Sequence, residues 1–304
     1  MASTAICALV TNCSARKSAL GAADLLHRNL AKGPQSEVGD HWLAALERAP
    51  ATARARDLYS GRGVVRMQAL ADRLGAPLYI ASAGLGLVKS EERVPSYDLS
   101  VSADTPSAVQ RLIDDDFSAK DWWATLARSP YATPINKLFD ENADHLICIA
   151  VSNSYVPLIS DELARLDKTR RDRLRLFGAA DSKYQPALRP LLMPYDRRLD
   201  TLVRGSKVDF AQRAAEHFIV AMTTVKHFPN SVDEQRAWIT ATLDEVPVKA
   251  LEKRQVVDDE KIMGLARKLA AQGHSHTKAL GILRKQGIAC EQSRFRRLFI
   301  EATK

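Results

Sequence analysis

Three loops of this 304-residue chain gather the side chains best suited to chemistry. The first reads Thr11-Asn12-Cys13-Ser14-Ala15-Arg16-Lys17 and offers an amide, a thiol, a hydroxyl and two cations. It precedes an expected helix over about 17–32, where free backbone N–H groups and cations would suit an anion or a polar base edge. Capping by Asn12 or Ser14 explains the polar residues on its own. Arg16 and Lys17 in a first helical turn, however, run against the helix dipole. The second loop, Ser82-Ala83-Gly84-Leu85-Gly86-Leu87, is built of small residues that let backbone approach a ligand. It is neither GxGxxG nor a Gly-Lys-Ser/Thr phosphate loop, so no nucleoside-triphosphate site is expected. Pro95-Ser96-Tyr97-Asp98 then sets an aromatic ring beside a carboxylate. The third loop, Ser152-Asn153-Ser154-Tyr155, again presents an amide and hydroxyls. Turn chemistry accounts for each loop singly; their common placement after strands is the stronger signal.

Other chemistries find no support. There is no GxSxG elbow, no HExxH and no histidine-rich cluster among the seven histidines. The four cysteines (Cys7, Cys13, Cys148, Cys290) lie far apart without a CxxC pair. No metal site and no cofactor are expected, and the cysteine usage fits a reducing cytoplasm. Cys13 has no histidine nearby in sequence and reads as inert packing. The Asp114-Asp115-Asp116 run, with Asp121, competes with Asp98 as a carboxylate source but reads first as a solvated face or helix cap.

The elements that must position these loops are short. AICALV, LYIASA and HLICIAV are apolar, β-prone runs, giving expected strands at about 5–10, 77–82 and 145–151. Helical stretches around 17–32, 40–50, 64–74, 105–128 and 156–170 flank them. Strands alternating with helices predict an α/β domain, a mostly parallel sheet with helices on both faces, over residues 1–245. Ligands in such sheets bind at loops beyond the carboxyl ends of the strands. The basic run at 168–177 reads as a solvated helix face. The N-terminal stretch lacks a basic region ahead of its short apolar segment and reads as a buried strand, not a signal peptide. No apolar run approaches the ~20 residues of a membrane span.

Charge is unevenly placed. The chain carries 44 Lys and Arg against 36 Asp and Glu, a net +8, and residues 258–304 contribute ten cations against five acids. A polar, poorly periodic stretch marks a boundary near residue 250. Beyond it three helices are expected, opened by Asp258 or Asp259 and by Ser275 or Thr277, and ended by Gly273 and Gly287. Helix, short glycine-containing turn, helix is helix-turn-helix spacing, so an all-α helix-turn-helix-like domain is expected over 258–304. Its third helix carries Arg294, Arg296 and Arg297, candidates for DNA contact together with Arg16. A small bundle with a solvated basic face is the plainer alternative.

Taken together, Asn12-Cys13-Ser14-Ala15-Arg16-Lys17, Leu58-Tyr59-Ser60-Gly61, Ser82-Ala83-Gly84-Leu85-Gly86 and Pro95-Ser96-Tyr97-Asp98 resemble a family of bacterial and phage proteins. That family is similar to the uracil-DNA-glycosylase-like domain of archaeosine synthase. The resemblance covers about residues 5–155. With a basic tail, it extends to the anti-phage DNA glycosylases, which implies excision of a bulky modified base such as glucosylated hydroxymethylcytosine from double-stranded DNA. One departure is plain. Uracil-DNA glycosylases use an aspartate soon after the first strand and a later His-Ser-Pro loop, whereas Asn12 and Ser152-Asn153 stand here.

Glycosidic cleavage passes through an oxocarbenium-like sugar, which calls for a carboxylate and a positioned water, and the departing base calls for donors. Asp98 is the expected carboxylate, with Asn12, Ser14, Lys17 and Asn153 on the leaving base. A base flipped from the duplex needs a stacking pocket, for which Tyr59 and Tyr97 are candidates, with Ser82, Gly84 and Ser152 lining it. Trp122 or Trp123 are further stacking candidates, although two adjacent tryptophans on a helix are more often core. Two other functions fit the same residues: a ligand-sensing DNA-binding regulator, and a tRNA base-modifying enzyme.

Overall fold

The computed structural model describes residues 7–178, 181–247 and 254–303. The chain falls into two compact units, residues 1–247 and 248–304. Residues 5 and 6 of the first expected strand, and 248–253 of the expected boundary, lie outside the described residues.

The first unit is built on five strands: β1 (Cys7–Asn12), β2 (Leu78–Ser82), β3 (Gly86–Lys89), β4 (Leu146–Ala150) and β5 (Leu174–Phe177). They lie in the order β3-β2-β1-β4-β5, all parallel except the hairpin strand β3. Both faces are covered. Helices α1 (Gln35–Arg48), α3 (Ala119–Leu126) and α4 (Val156–Ala164) bring Trp42, Leu46, Trp122, Leu126, Ile159 and Leu163 against Ala8, Val10, Ile147 and Ile149. On the other face, α2 (Arg62–Leu74), α5 (Phe210–Thr224) and α6 (Val232–Asp244) pack Met67, Leu70, Ala214, Phe218 and Ile239 against Cys7, Leu9, Cys148 and Ala150. Double coverage is why the three recognised strands read as near-continuous apolar runs. No described helix is long and apolar enough to cross a membrane.

Several expectations need correction. No α-helix spans 17–32; that stretch holds two 3-10 turns, Ala23–Leu25 and His27–Asn29. Its backbone pairs outward instead: Ser18 N–H donates to Leu58 O, and Leu26 bridges Asp98. Gly21 passes so close to Ser96 and Tyr97 that a Cβ there would come within 2.9 Å of their backbone. The stretch 105–128 is α-helical only from Ala119, where Ser118 accepts the Asp121 N–H as cap. The run at 168–177 is a helical turn, Lys168–Asp172, followed by the buried strand β5. The alternation Leu-Arg-Leu-Phe is a strand signal that the surrounding charges mask. The arginine within it, Arg175, is buried and donates to Asp172 O and Leu174 O.

The second unit holds α7 (Asp259–Ala271), α8 (His276–Lys285) and α9 (Gln292–Ala302). Asp258, Ser275 and Glu291 cap their starts. After α7 the chain turns at Gly273, φ +77°, and His274 N–H returns to Leu269 O, a left-handed termination that favours glycine. Ile262, Ala266, Leu283, Phe295 and Leu298 form its core.

Two tryptophans fix the turn after β2. Trp42 Nε1 donates to Gly84 O at 2.6 Å and Trp122 Nε1 to Ala83 O at 3.0 Å. Trp42→Phe keeps most of the ring but strands the Gly84 carbonyl, so a loss of about 1–3 kcal/mol is expected as a lowered urea midpoint. A midpoint equal to wild type would show that this hydrogen bond does not hold the turn.

Candidate functional site at the carboxyl edge of the sheet

The strand order reverses between β1 and β4: from β1 the chain builds outward to β2 on one side and then starts again at β4 on the other. Their carboxyl ends flank the crevice in which open α/β sheets bind ligands. A cavity of about 210 Å³ opens there, lined by Asn12, Cys13, Ser14, the Gly61–Val64 start of α2, Ser100, Ser102, Thr105, Ser152, Tyr155 and Gln212. A second cleft of about 370 Å³ shares Ser102, Ser152 and Val208 with it and adds Asn153, Ser154, Gly178 and Lys207. Hydroxyl and amide side chains share the lining with apolar surface, and Arg62 and Lys207 border it.

Beside the cavity lies a buried polar cluster. Cys13 Sγ sits 2.9 Å from Tyr155 OH and 3.5 Å from Tyr97 OH. Tyr97 OH lies 2.7 Å from Ser82 Oγ and 3.2 Å from Tyr59 OH. Ser82 Oγ also accepts the Gly84 and Leu85 N–H groups. Burial pushes the Tyr59, Tyr97 and Tyr155 hydroxyls far above the usual phenol range, with Cys13 adding to the shift. All three stay neutral and serve as hydrogen-bonding groups.

Lys17 leads from this cluster to the surface. Its Nζ stands 4.2 Å from the Tyr97 ring centre and 5.9 Å from that of Tyr59, within cation–π reach of both. An isolated bridge to Tyr59 holds its backbone. Desolvation pushes the Lys17 ammonium below the usual lysine range, opposed by the neighbouring Cys13 thiol and Asp98 carboxylate. Asp98 is exposed and has no ion-pair partner among the described residues.

The structure thus brings Asn12, Ser14, Ser152, Lys17 and Asp98 to one edge, but gives them unequal freedom. Asn12 is a brace: its Oδ1 accepts from Ser152 N–H and Gln212 Nε2, and its Nδ2 donates to Cys13 O. Ser14 is a staple, accepting from Gly61 N–H and donating to Arg16 O. The helix start at this edge is therefore that of α2, not one following Lys17. Tyr59 and Tyr97 are each 1% exposed, so neither ring has a face open to stack a base. Ser82 and Gly84 are buried beneath them. Arg16 is exposed, and Asn153 lines the outer cleft. Trp122 and Trp123 are core. In the aspartate run, Asp115 is exposed and also accepts the Gln35 N–H at the start of α1, so it caps a helix distant in sequence.

Sequence reasoning missed Gln212, Ser100, Ser102, Thr105 and the Gly61–Val64 turn as lining residues. Gln212 borders the apolar Ala211-Ala214-Ala215-Phe218 stripe of α5, and nothing in its spacing separates a buried amide from an exposed one. Ser100, Ser102 and Thr105 follow the Tyr97-Asp98 pair in a segment that reads as ordinary turn residues.

On the second unit, the three arginines of α9 divide. Arg294 donates to Asp259 Oδ1 through Nε at 2.8 Å and to Val257 O, and Arg297 reaches Asp259 Oδ2 at 3.3 Å. They tie α9 to α7. Arg296 is exposed with no such partner among the described residues.

Compared with family models, with curated proteins and with solved structures, the chain matches none.

Two outcomes follow from these contacts. Asp98 favours the charged form of Lys17, so Asp98→Asn should lower the Lys17 pKa further, read by heteronuclear NMR of the side-chain amine; an unchanged titration would show that the two do not interact. Arg294 holds the Asp259 carboxyl below its usual range. That stabilisation is present above the unfolded carboxylate pKa and is lost as pH falls through the folded value. Arg294→Met should therefore lower the thermal midpoint of the second unit at neutral pH and flatten its decline on acidification. An acid profile identical to wild type would exclude this ion pair as a contributor.

Proposed function

We propose that this protein is a DNA glycosylase with a uracil-DNA-glycosylase-like first unit, hydrolysing the bond between deoxyribose and a modified base, with glucosylated hydroxymethylcytosine the substrate expected from its motifs. The observation that carries the reading is the placement, around Tyr97 and next to the crevice-lining Cys13, of an exposed carboxylate without an ion-pair partner among the described residues, Asp98, and a half-buried amine, Lys17. Asp98 stabilises the sugar cation or orients the attacking water. Water oxygen bonds to C1′, the C1′–N bond breaks, and the base departs with the electron pair and takes up a proton. A desolvated ammonium such as Lys17 stabilises developing negative charge more strongly than one in water. With Tyr59 and Tyr97 buried, the base rests against the crevice walls and not against those rings.

The basic surface of the second unit supports DNA as the polymer, and Arg296 is its freest α9 arginine for a phosphate. Arg294 and Arg297 have structural duties and weigh less in this role than their sequence position suggests.

The test is base release from glucosylated phage DNA, with alkaline strand scission reporting abasic sites. Asp98→Asn is expected to lose about 10²–10³ in rate, the usual cost of a preorganised electrostatic group, while DNA affinity holds. Asp116→Asn, on the exposed run, should match wild type. Arg296→Gln should flatten the dependence of affinity on salt by about one phosphate contact. If wild-type protein frees no base from any modified DNA, the glycosylase reading fails and a ligand-sensing regulator replaces it. If tRNA alone is attacked, the enzyme acts on RNA.

A further inference from the structure

We propose that the second unit docks on double-stranded DNA through the outer faces of α7 and α8, each of which sets a bare glycine, bracketed by two lysines, against the sugar-phosphate backbone. The inference rests on the glycosylase reading for the identity of the polymer and goes beyond it in assigning the surface.

The two helices carry one pattern. Lys261-Ile262-Met263-Gly264-Leu265-Ala266-Arg267-Lys268 in α7 recurs as Lys278-Ala279-Leu280-Gly281-Ile282-Leu283-Arg284-Lys285 in α8, with lysine, glycine, arginine and lysine at the same places. The apolar places have a plain cause. Ile262, Ala266 and Leu269 of α7 meet Ala279, Leu280 and Leu283 of α8 in the core. The glycines have no such cause. Both stand inside helices and neither has a positive φ. In a helix interior glycine is less favourable than any residue but proline. A Cβ at either position would meet nothing within 4 Å outside its own helix, so no neighbour needs the space. Two helix-weakening residues at equivalent outward places, unexplained by the fold, point to a partner that comes close to the helix axis there.

The charge around the glycines identifies the partner. On a helix, residues three before and four after a position share its face. Lys261 and Lys268 therefore bracket Gly264, and Lys278 and Lys285 bracket Gly281, each pair about 10 Å apart along the axis. All four lysines are exposed, and none has an ion-pair partner among the described residues. Arg267 adds an exposed cation on α7, whereas Arg284 is held by Cys290 O. Glu260 is the acid that shares the outer face of α7, and α8 contains none. A row of phosphates complements both faces. The lysines reach anions on either side of the closest point. Between them the glycine leaves the surface near the Cα cylinder, ~2.3 Å from the axis, where side chains would extend it to ~5–6 Å. A deoxyribose between two phosphates fits the space so opened. Lysine binds phosphate as a point charge, and backbone contacts position a protein without reading sequence.

Affinity is measured on the full-length protein by fluorescence anisotropy of a short unmodified duplex, which needs no turnover. Charge alone predicts that glycine variants bind as wild type, because they leave every cation in place. The dock predicts otherwise. Gly264→Met and Gly281→Met should each weaken duplex binding about tenfold, the scale of one lost contact to a charged group, and Gly264→Ala and Gly281→Ala should weaken it less. The thermal midpoint of the second unit should hold or rise in these variants, since alanine and methionine are better helix formers. Lys278→Gln combined with Lys285→Gln should flatten the salt dependence of affinity by about two phosphate contacts. Wild-type affinity in the Met variants, a loss at one glycine only, a lowered midpoint or an unchanged salt slope would overturn the dock. Tighter binding of tRNA or of phosphatidylserine vesicles than of the duplex would overturn the partner. Glycine-sensitive duplex binding without base release from modified DNA would leave the dock standing and remove the glycosylase reading; base release with glycine-insensitive binding would do the reverse.

Discussion

One buried amide holds the functional edge of this protein together. Parallel strands carry no hairpin between them, so β1 and β4 are free to splay once their ladder ends at Thr11 and Ala150. Gln212 closes that gap from α5 by donating to acceptors on both strands, and Asn12 repeats the link by accepting the Ser152 N–H. The two loops that follow are consequently fixed to each other and not only to their own strands. This is how a sheet edge becomes a preorganised wall. A site whose dipoles are already oriented need not reorganise them as charge develops.

The second constraint is the tyrosine cluster under the β2 turn. Cys13, Tyr59, Ser82, Tyr97 and Tyr155 come from five separate segments and satisfy one another with neutral hydrogen bonds. Neutrality matters here: a charged group at this depth would cost far more than its partners return. Lys17 is the exception, and it survives by pointing its charge across aromatic faces with Asp98 nearby. The cluster thereby sets the electrostatics of the one amine that leads outward.

How much of this was legible in the sequence follows from what each pattern measures. β1, β2 and β4 announce themselves because burial on both faces leaves only apolar residues. β5 did not, because Arg175 and its charged neighbours look like a surface, and only packing on both faces, Phe177 against Phe218 of α5 and Leu174 and Leu176 in the opposite cluster, reveals the strand as buried. The absent helix at 17–32 has the reverse cause: its apolar residues suit a helix, but the Gly21 approach to Ser96 and the pairing of Leu26 with Asp98 come from distant segments. The loops were found, since strand ends are visible. Which of their side chains are free was not, because the side-chain oxygens of Asn12 and Ser14 accept from partners 47 to 200 residues away.

The motif residues behind the glycosylase resemblance take on a different meaning in this light. Cys13, Tyr59, Ser82, Gly84 and Tyr97 are nearly all buried and engaged with one another. What the motif encodes is chiefly a platform: a tight turn held by Trp42, a layer of phenols, and a lysine laid over them. The groups that the platform leaves free are Lys17, Asp98 and the crevice beyond Asn12. Under the proposed glycosylase function, the departure from the Asp and His-Ser-Pro pattern of uracil-DNA glycosylases lies in the groups presented at the sheet edge. In that proposal, a carboxylate placed by the loop after β3 meets the demands of glycosidic cleavage from another position on the sheet. Chemistry of this kind depends on where charge is held relative to the breaking bond, and strand ends offer several such places.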